Sequence, residues 1–299
     1  MRDFAGRVAV VTGGASGIGR ALGARFAAEG MKVVLADVEK GALDTTVAEL
    51  RREGAAVMGI VTDVSQQDSV SALADEVYAS HGTVHVLCNN AGIGTDETQS
   101  RIWDSPANDW IWAFRVNVWG VLHGIKSFVP RMLAGREEGH VINTSSANGG
   151  LYPLPTTPIY AATKAAVTSI TEVLHHQLRM TRAKIRASVL FPGPHIVATN
   201  IFSAARNRPP DLPNERGDSL PPPTLDDIRR MAEQAGRKFS TTQPKDVADY
   251  TLEALRDDWF WILPRGGHTE EAVRARLQSI LDRRDPPSDL LQSPPIQRK

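Results

Sequence analysis

The chain has 299 residues, of which 41% are hydrophobic, and 34 lysines and arginines balance 34 aspartates and glutamates. A chain of this size can bury one large core, and an α/β chain of this length folds as a single domain. Zero net charge gives no general attraction to nucleic acid or to an anionic membrane, so we expect neither partner. The composition suits an uncharged or weakly charged small-molecule substrate.

The N-terminal segment and the cysteine content indicate the compartment. Arg2, Asp3 and Arg7 precede a short apolar run that ends in glycines, a pattern typical of neither a signal peptide nor a membrane span. The single cysteine, Cys88, excludes an intrachain disulfide and lies in an apolar run, which predicts a buried, inert thiol. We predict a soluble cytoplasmic protein without a metal site.

Short β-branched runs alternate with longer helical patterns through the first two thirds of the chain. This alternation predicts a parallel sheet whose strands are joined by crossover helices. The predicted strands cover residues 8–11, 33–36, 57–61, 84–88, 141–144, 187–191 and 259–263. The predicted helices cover residues 17–28, 41–53, 66–80, 107–133, 159–181, 244–256 and 269–283.

The predicted helix over 107–133 is apolar on more than one side. One stripe has apolar residues at intervals of three and four: Ile111, Phe114, Val118, Val121, Ile125, Phe128 and Met132. Tryptophans lie on its other faces: Trp110, Trp112 and Trp119. A helix of this kind is either deeply buried or paired across a subunit boundary. We expect an oligomer interface here, with core packing as the alternative.

Beyond residue 198 prolines cluster among charges, until a helical pattern resumes near Thr224. Long irregular inserts in compact domains are usually lids or disordered segments, so we expect mobility here. We therefore predict one domain over residues 1–285 with an insert at about 199–242. Residues 286–299 are predicted to be a flexible tail.

The first predicted strand runs directly into a glycine-rich turn that opens a helix. Its glycines follow a G-x-x-x-G-x-G pattern at Gly13, Gly17 and Gly19, with Ser16 and Ile18 between them. Glycines allow a tight turn and let the backbone approach a pyrophosphate, which the helix N-terminus then stabilises. A glycine triplet alone is weak support, but the strand-turn-helix context is present. The segment predicts a dinucleotide site.

Asp37 ends the second predicted strand, where an acidic residue can bind the adenosine ribose hydroxyls. The same charge would repel a 2′-phosphate, and no arginine lies in the glycine turn or in the two positions after Asp37. NAD is therefore preferred over NADP. The alternative is that Asp37 is an ordinary loop or capping acid.

Tyr160 and Lys164 are four residues apart within a predicted helix and so share one face. An ammonium beside a phenol favours the ionised phenol, which is otherwise formed only near pH ~10. The pair could therefore serve as a base. The alternative is a surface tyrosine beside a solvated lysine.

In order and spacing, these segments resemble the short-chain dehydrogenase/reductase family. The resemblance covers residues 7 to about 199 and includes Thr12-Gly13, Gly17-Ile18-Gly19, Asp63-Val64, Asn89-Asn90-Ala91-Gly92, Asn117, Ser145-Ser146, Tyr160, Lys164 and Pro192-Gly193. It implies a Rossmann-like, doubly wound α/β fold with about seven parallel strands and helices on both faces. It also implies a homodimer or homotetramer with contacts near 107–133 and 159–181.

The resemblance implies roles at two strand ends. Asp63 would meet the adenine amino group, with the Val64 backbone beside it. Asn90, Ala91 and Gly92 would form the turn after the fourth strand, in which Asn90 braces the sheet and Gly92 leaves room for the cofactor. Ordinary strand-end turn chemistry is the alternative.

The resemblance also implies the catalytic set. Tyr160 would exchange a proton with a secondary alcohol while hydride passes to nicotinamide, and Lys164 would lower the tyrosine pKa and bind the nicotinamide ribose. Ser146 matches the family serine better than Ser145 does. Asn117 would kink its helix and hold a water in a proton relay through Lys164.

The chain departs from the family pattern after Pro192 and Gly193, where the interval to a nicotinamide-binding threonine is longer by about two residues. Thr199 is the candidate for that threonine. His195 could reach the substrate, but a loop histidine without a known partner is more often incidental.

The layout of the chain is also similar to that of bacterial family members that oxidise bulky benzylic alcohols from lignin. The segments that carry this similarity are Phe128-Val129-Pro130-Arg131-Met132, Arg206-Asn207-Arg208-Pro209 and Trp261-Ile262-Leu263-Pro264. This similarity implies a roomy site for a hydrophobic or aromatic secondary alcohol, covered by the insert. The alternatives are an NADPH-dependent ketone reductase and a non-catalytic dinucleotide sensor.

Overall fold

The computed structural model of the chain describes residues 1–97, 101–215, 224–234, 236, 239–264 and 268–287. The strands are β1 (Val8–Thr12), β2 (Lys32–Asp37), β3 (Val57–Val61), β4 (Val86–Asn89), β5 (Gly139–Thr144), β6 (Ile185–Leu190), β7 (Ile196–Val197), β8 (Thr241–Thr242) and β9 (Trp261–Ile262). Seven of them form one parallel sheet in the order β3-β2-β1-β4-β5-β6-β9. The predicted doubly wound, Rossmann-like fold is confirmed.

Helices cover both faces of this sheet. They are α1 (Gly17–Ala28), α2 (Lys40–Arg52), α3 (Gln67–His81), α4 (Ala107–Phe114), α5 (Gly120–Gly135), α6 (Pro158–Met180), α7 (Leu225–Gln234), α8 (Pro244–Asp257) and α9 (His268–Leu281). None of the helices in the described residues is long and apolar enough to cross a membrane.

Two apolar layers fill the space between the sheet and its helices. Because successive side chains of a strand point to opposite faces, Val11 of β1 packs with Phe26 of α1 in one layer. Val10 packs with Phe128 of α5 in the other. Cys88 is fully buried, as predicted.

The predicted helix over 107–133 is interrupted by a π-helical turn over Arg115–Trp119. A π turn adds one residue to a helical turn and rotates the apolar face that precedes it. Ile111, predicted to be buried, is therefore 42% exposed, whereas Trp112, predicted on another face, is 3% exposed. The predicted stripe is wrong before the π turn and correct after it, where Val121 and Phe128 are buried.

The segment after β6 contains structure that the sequence patterns did not reveal. A 3-10 helix spans Ile201–Asn207, and β7 pairs with β8 in a separate two-stranded sheet. Two-residue strands are too short to produce an alternating pattern. Residues 216–223, 235 and 237–238 of the predicted insert, and 288–299 of the predicted tail, lie outside the described residues.

Candidate active site

A cavity of about 500 Å³ opens at the carboxyl ends of the central strands. The strand order reverses between β1 and β4, and ligands of open α/β sheets bind at such a switch point. Most of the predicted site residues line this cavity: Gly13, Ser16, Gly17, Ile18, Asp37, Asp63, Val64, Asn90, Ala91, Gly92, Ser146, Tyr160, Lys164, Pro192 and Thr199. Residues separated by up to 186 positions, from Gly13 to Thr199, thus meet at one site.

The glycine turn joins β1 to α1 at the floor of the cavity. Gly13 and Gly17 have φ angles of 66° and 53°, in the left-handed region that favours glycine. A Cβ at Gly13 would lie 2.9 Å from Ala91 Cα, and one at Gly19 would lie 2.0 Å from the Gly13 carbonyl oxygen. Gly19 does not itself line the cavity, because it packs beneath Gly13. The turn leaves an open cradle of backbone that fits a dinucleotide pyrophosphate.

Replacing Gly19 by alanine is expected to weaken NADH binding by at least tenfold, about 1.4 kcal/mol. The added Cβ cannot be accommodated without moving the backbone at Gly13. Fluorescence titration with NADH measures the change. Gly41→Ala is the matched control, since nothing lies within 4 Å of a Cβ at that helical position. Equal affinities for the two variants would contradict the role assigned to the turn.

Asp37 lies at the end of β2, with its carboxylate beside the glycine turn. It accepts hydrogen bonds from the Ala15 N–H at 2.9 Å and the Glu39 N–H at 3.0 Å. The carboxylate thus fixes two backbone segments while it lines the cavity. Asp63 is placed similarly after β3 and accepts a bond from the Ser65 N–H at 2.9 Å.

The turn after β4 is tied to β1. The Asn90 side chain donates to the Thr12 carbonyl at 3.0 Å, and the Thr12 hydroxyl accepts from the backbone N–H groups of Asn90 and Ala91. A Cβ at Gly92 would lie 3.3 Å from Asn117 Oδ1 and 3.4 Å from Lys164 Nζ. The turn therefore braces the sheet and brings the backbone close to two predicted catalytic side chains.

Tyr160 and Lys164 lie on one face of α6, as their spacing predicts. The Lys164 Nζ is 5.5 Å from the centre of the Tyr160 ring and donates to the Thr144 carbonyl at 2.9 Å. The Ser146 hydroxyl hydrogen-bonds the Tyr160 side chain. The Ser145 hydroxyl instead contacts the Lys164 carbonyl and the Thr168 hydroxyl, each at 2.8 Å. The geometry favours Ser146 as the serine that acts with Tyr160.

The protonation of this pair differs from the expectation. Burial raises the pKa of Tyr160 to about 12, although the hydrogen bond from Ser146 opposes this rise and the charge of Glu97 adds to it. Burial also lowers the pKa of Lys164 to about 8. The predicted lowering of the Tyr160 pKa by Lys164 is therefore not present in this structure, where desolvation of the phenol is the largest cause of the shift and Lys164 is not among its causes.

Asn117 lies in the π turn and behind the cavity wall. Its side-chain oxygen accepts from the Ile93 N–H at 2.8 Å, and its amide donates to the Ile93 carbonyl at 3.0 Å and to Thr163 at 3.1 Å. Asparagine is a poor helix former, and here its side chain ties the interrupted helix to the segment after β4. The π turn over Arg115–Trp119 lies at the position where Asn117 is predicted to kink the helix.

The segment after β6 closes one side of the cavity. Pro192 lines it, while Gly193 lies outside the lining and precedes a cis peptide bond to Pro194. Thr199 lies against the glycine turn, because a Cβ at Gly17 would be 2.9 Å from its methyl group. His195 also lines the cavity, and its backbone N–H donates to the Thr242 hydroxyl at 3.2 Å.

The sequence profile described as short chain dehydrogenase matches residues 7–209, about two thirds of the chain. The chain belongs to the short-chain dehydrogenase family. Members are nucleotide-dependent oxidoreductases acting on CH–OH groups, and the glycine cradle and cavity fit that description.

The similarity to individual family members covers more of the chain than the profile does. A short chain dehydrogenase/reductase from Burkholderia phymatum, solved in complex with NAD, is 43% identical, with a TM-score of 0.84 over 96% of this chain and 99% of that one. A C alpha-dehydrogenase from Sphingobium sp. is 31% identical over 94% of this chain and 88% of its own length. A metagenomic short-chain oxidoreductase in complex with NADP is 25% identical, with a TM-score of 0.66 over 89% and 99% of the two chains.

The structure adds residues to the site that sequence reasoning missed. The buried Glu97 lines the cavity next to α6, and Glu39 lines the opposite end together with Arg206 and Asn207. Glu39 accepts a hydrogen bond from Asn207 at 2.8 Å and pairs with Arg206. These contacts join positions far apart in the sequence, so no local spacing could have identified them.

Proposed function

We propose that the protein transfers hydride between NAD(H) and a bulky, hydrophobic or aromatic secondary alcohol or ketone, with Tyr160 as acid/base. The observation that carries the proposal is that one cavity joins the glycine cradle and Asp37 to Tyr160, Lys164 and Ser146. A binding module needs no proton-transfer group at its ligand, so this arrangement favours an enzyme over a dinucleotide sensor.

When bound, NAD supplies the hydride acceptor at its nicotinamide ring. Tyr160 in its ionised phenolate form takes the proton of the alcohol and becomes a hydroxyl, and in the reverse direction that hydroxyl gives its proton to the ketone oxygen. Ser146, which already hydrogen-bonds Tyr160, orients the substrate oxygen and stabilises its developing charge. Lys164 holds the nicotinamide ribose, and Asn117 supports the proton path through Lys164.

The other binding residues hold the rest of the dinucleotide. Asp37 binds the adenosine ribose, Asp63 and Val64 contact the adenine, and the 90–92 turn with Pro192 and Gly193 shapes the nicotinamide end. Thr199 contacts the carboxamide. Each assignment follows the family motif, and the lining of the cavity by most of these residues supports it.

The substrate end of the cavity is largely apolar. Its wall includes Ile93, Trp112, Leu154 and Phe202. Aromatic and branched aliphatic side chains of this kind suit an aromatic or alicyclic substrate. The similarity to a C alpha-dehydrogenase over most of both chains supports the same substrate class.

A panel of secondary alcohols assayed with NAD tests the proposal. We expect absorbance of reduced cofactor to appear with 1-arylalkanols and bulky alicyclic alcohols, and much less with 2-propanol. Binding of NADH without turnover of any alcohol, or of any ketone in the reverse assay, would favour the sensor instead. A larger kcat/KM with NADPH and ketones would favour the reductase.

We expect kcat/KM with NAD to exceed that with NADP by more than tenfold. Asp37 and Glu39 place two carboxylates at the adenosine end, and Glu39 engages the nearby Arg206. Removing one charge by Asp37→Asn is expected to reduce this ratio about tenfold, as loss of about 1.4 kcal/mol of repulsion predicts. The exposed acid Asp44, substituted to asparagine, is the control. An unchanged ratio in Asp37→Asn would refute the assignment.

The first part of the predicted insert supports its proposed role as a cover. Arg208 pairs with the buried Asp109 of α4 at 2.7 Å, and Leu212 is buried against the cluster that contains Trp112. These contacts hold residues 208–212 over the substrate end.

The assembly is proposed to be a homodimer or homotetramer. Exposed apolar side chains lie on the two helical regions expected to form its contacts: Ile111 and Trp119 around α4, and Val173 and Met180 on α6. Exposed apolar groups on a helix face are typical of subunit interfaces. Sedimentation analysis measures the assembly state.

A further inference from the structure

Glu97 is a buried acid that the proposed mechanism does not use. It is 1% exposed and lines the cavity between the 90–92 turn and the start of α6. A fully buried glutamate is rare unless its carboxylate has specific partners. Its partners therefore indicate what it does.

Those partners are the free N–H groups at the start of α6. Pro158 has no N–H, and the Thr157 hydroxyl does not cap the helix, because it accepts a hydrogen bond from Asn148 at 2.7 Å. The Ile159 N–H donates to Glu97 Oε2 at 2.6 Å, and the Tyr160 N–H donates to Oε1 at 2.9 Å. Both oxygens of Glu97 thus cap the turn that carries Tyr160.

Several charged or titratable groups face this carboxylate. Asp109 of α4 is also buried and is paired with Arg208, and Tyr160 and Lys164 lie along α6. Burial raises the pKa of Glu97 to about 7, the hydrogen bonds from Tyr160 and Ile159 oppose this, and the charge of Asp109 adds to it. The charge of Glu97 in turn raises the pKa of Tyr160.

We propose that Glu97 is a positioning residue that fixes the first turn of α6 and whose charge governs proton transfer at Tyr160. The inference rests on Tyr160 being the acid/base of the proposed function. An ionised carboxylate beside Tyr160 opposes a second negative charge, so it keeps the hydroxyl protonated. Protonation of Glu97 removes that opposition.

The test is the pH profile of kcat/KM for alcohol oxidation. Glu97→Gln keeps the size of the side chain and one of its two acceptor oxygens but removes the charge, and we expect the apparent pKa of the base to fall by about one pH unit. Glu97→Asp keeps the charge and should leave the profile near that of the wild type. Asp96→Asn, at the exposed neighbouring position, is the control and should cause no shift.

Loss of activity in Glu97→Gln with an unshifted profile would show a capping role alone and would overturn the proposal. Circular dichroism and NADH binding establish that the variant is folded. If the variant does not fold, infrared titration of the carboxyl groups in the wild-type protein tests the proposal instead. A protonated carboxyl band that disappears near neutral pH supports the proposal, and its absence refutes it. Turnover retained by Tyr160→Phe would instead reject the proposed function itself.

Discussion

Replacing Tyr160 by phenylalanine is expected to reduce turnover by about 10³-fold, the contribution typical of a positioned general acid or base. Only the hydroxyl is lost, so the ring still packs beside Lys164 and the cavity keeps its shape. The affinity for NADH should therefore change by less than about threefold. Steady-state alcohol oxidation and NADH fluorescence titration together measure this separation.

Tyr152→Phe is the control for this substitution. Tyr152 follows the irregular turn over Ala147–Leu151, and its side chain does not line the cavity. The Tyr152→Phe variant also loses one hydroxyl, but its turnover should stay near that of the wild type. Comparable losses in the two variants would mean that removal of any nearby phenol disturbs the protein, and retained turnover in Tyr160→Phe would remove the proposed acid/base.

Replacing Lys164 by methionine is expected to abolish turnover and yet to stabilise the fold at neutral pH. Burial lowers the pKa of Lys164 from its usual 10.5 to about 8, which means that the folded state disfavours the charged ammonium. The shift corresponds to about 3 kcal/mol, and loss of the bond to the Thr144 carbonyl offsets about 1 kcal/mol. We expect the free energy of unfolding to rise by roughly 2 kcal/mol.

The sign of this effect fixes its pH dependence. A group whose pKa is lower in the folded state destabilises the fold below that pKa, and the cost disappears as the pH rises towards the value of the unfolded chain. The difference between variant and wild type should therefore be largest near neutral pH and shrink between about pH 8 and pH 10.5. Urea unfolding at several pH values measures it.

Lys184→Met provides the control, because the Lys184 side chain is exposed and its substitution removes a charge without changing burial. Its unfolding free energy should stay within about 0.5 kcal/mol of the wild type. A stability loss in Lys164→Met that persists at every pH would show that the lysine is held mainly by favourable contacts. Such a result would contradict the desolvation account.

The sequence by itself determined the sheet, most helices and the glycine turn. These features have local causes: β-branched runs form strands, apolar periodicity forms helices, and tight turns need glycine. Tyr160 and Lys164 were correctly predicted to share one face of α6, because residues four apart lie on the same side of any α-helix. The family motifs in turn pointed to residues that the fold brings to one cavity.

Only the tertiary structure decided the pKa values in the site and the long-range contacts that form its walls. The pKa of Tyr160 depends on burial and on Glu97, which lies 63 positions earlier in the chain. The pairing of Glu39 with Arg206 crosses 167 positions, and the π turn at Asn117 rotates a helix face that periodicity places wrongly. Local sequence patterns do not predict such contacts, because desolvation and pairing between distant residues arise only when the chain packs into its tertiary structure.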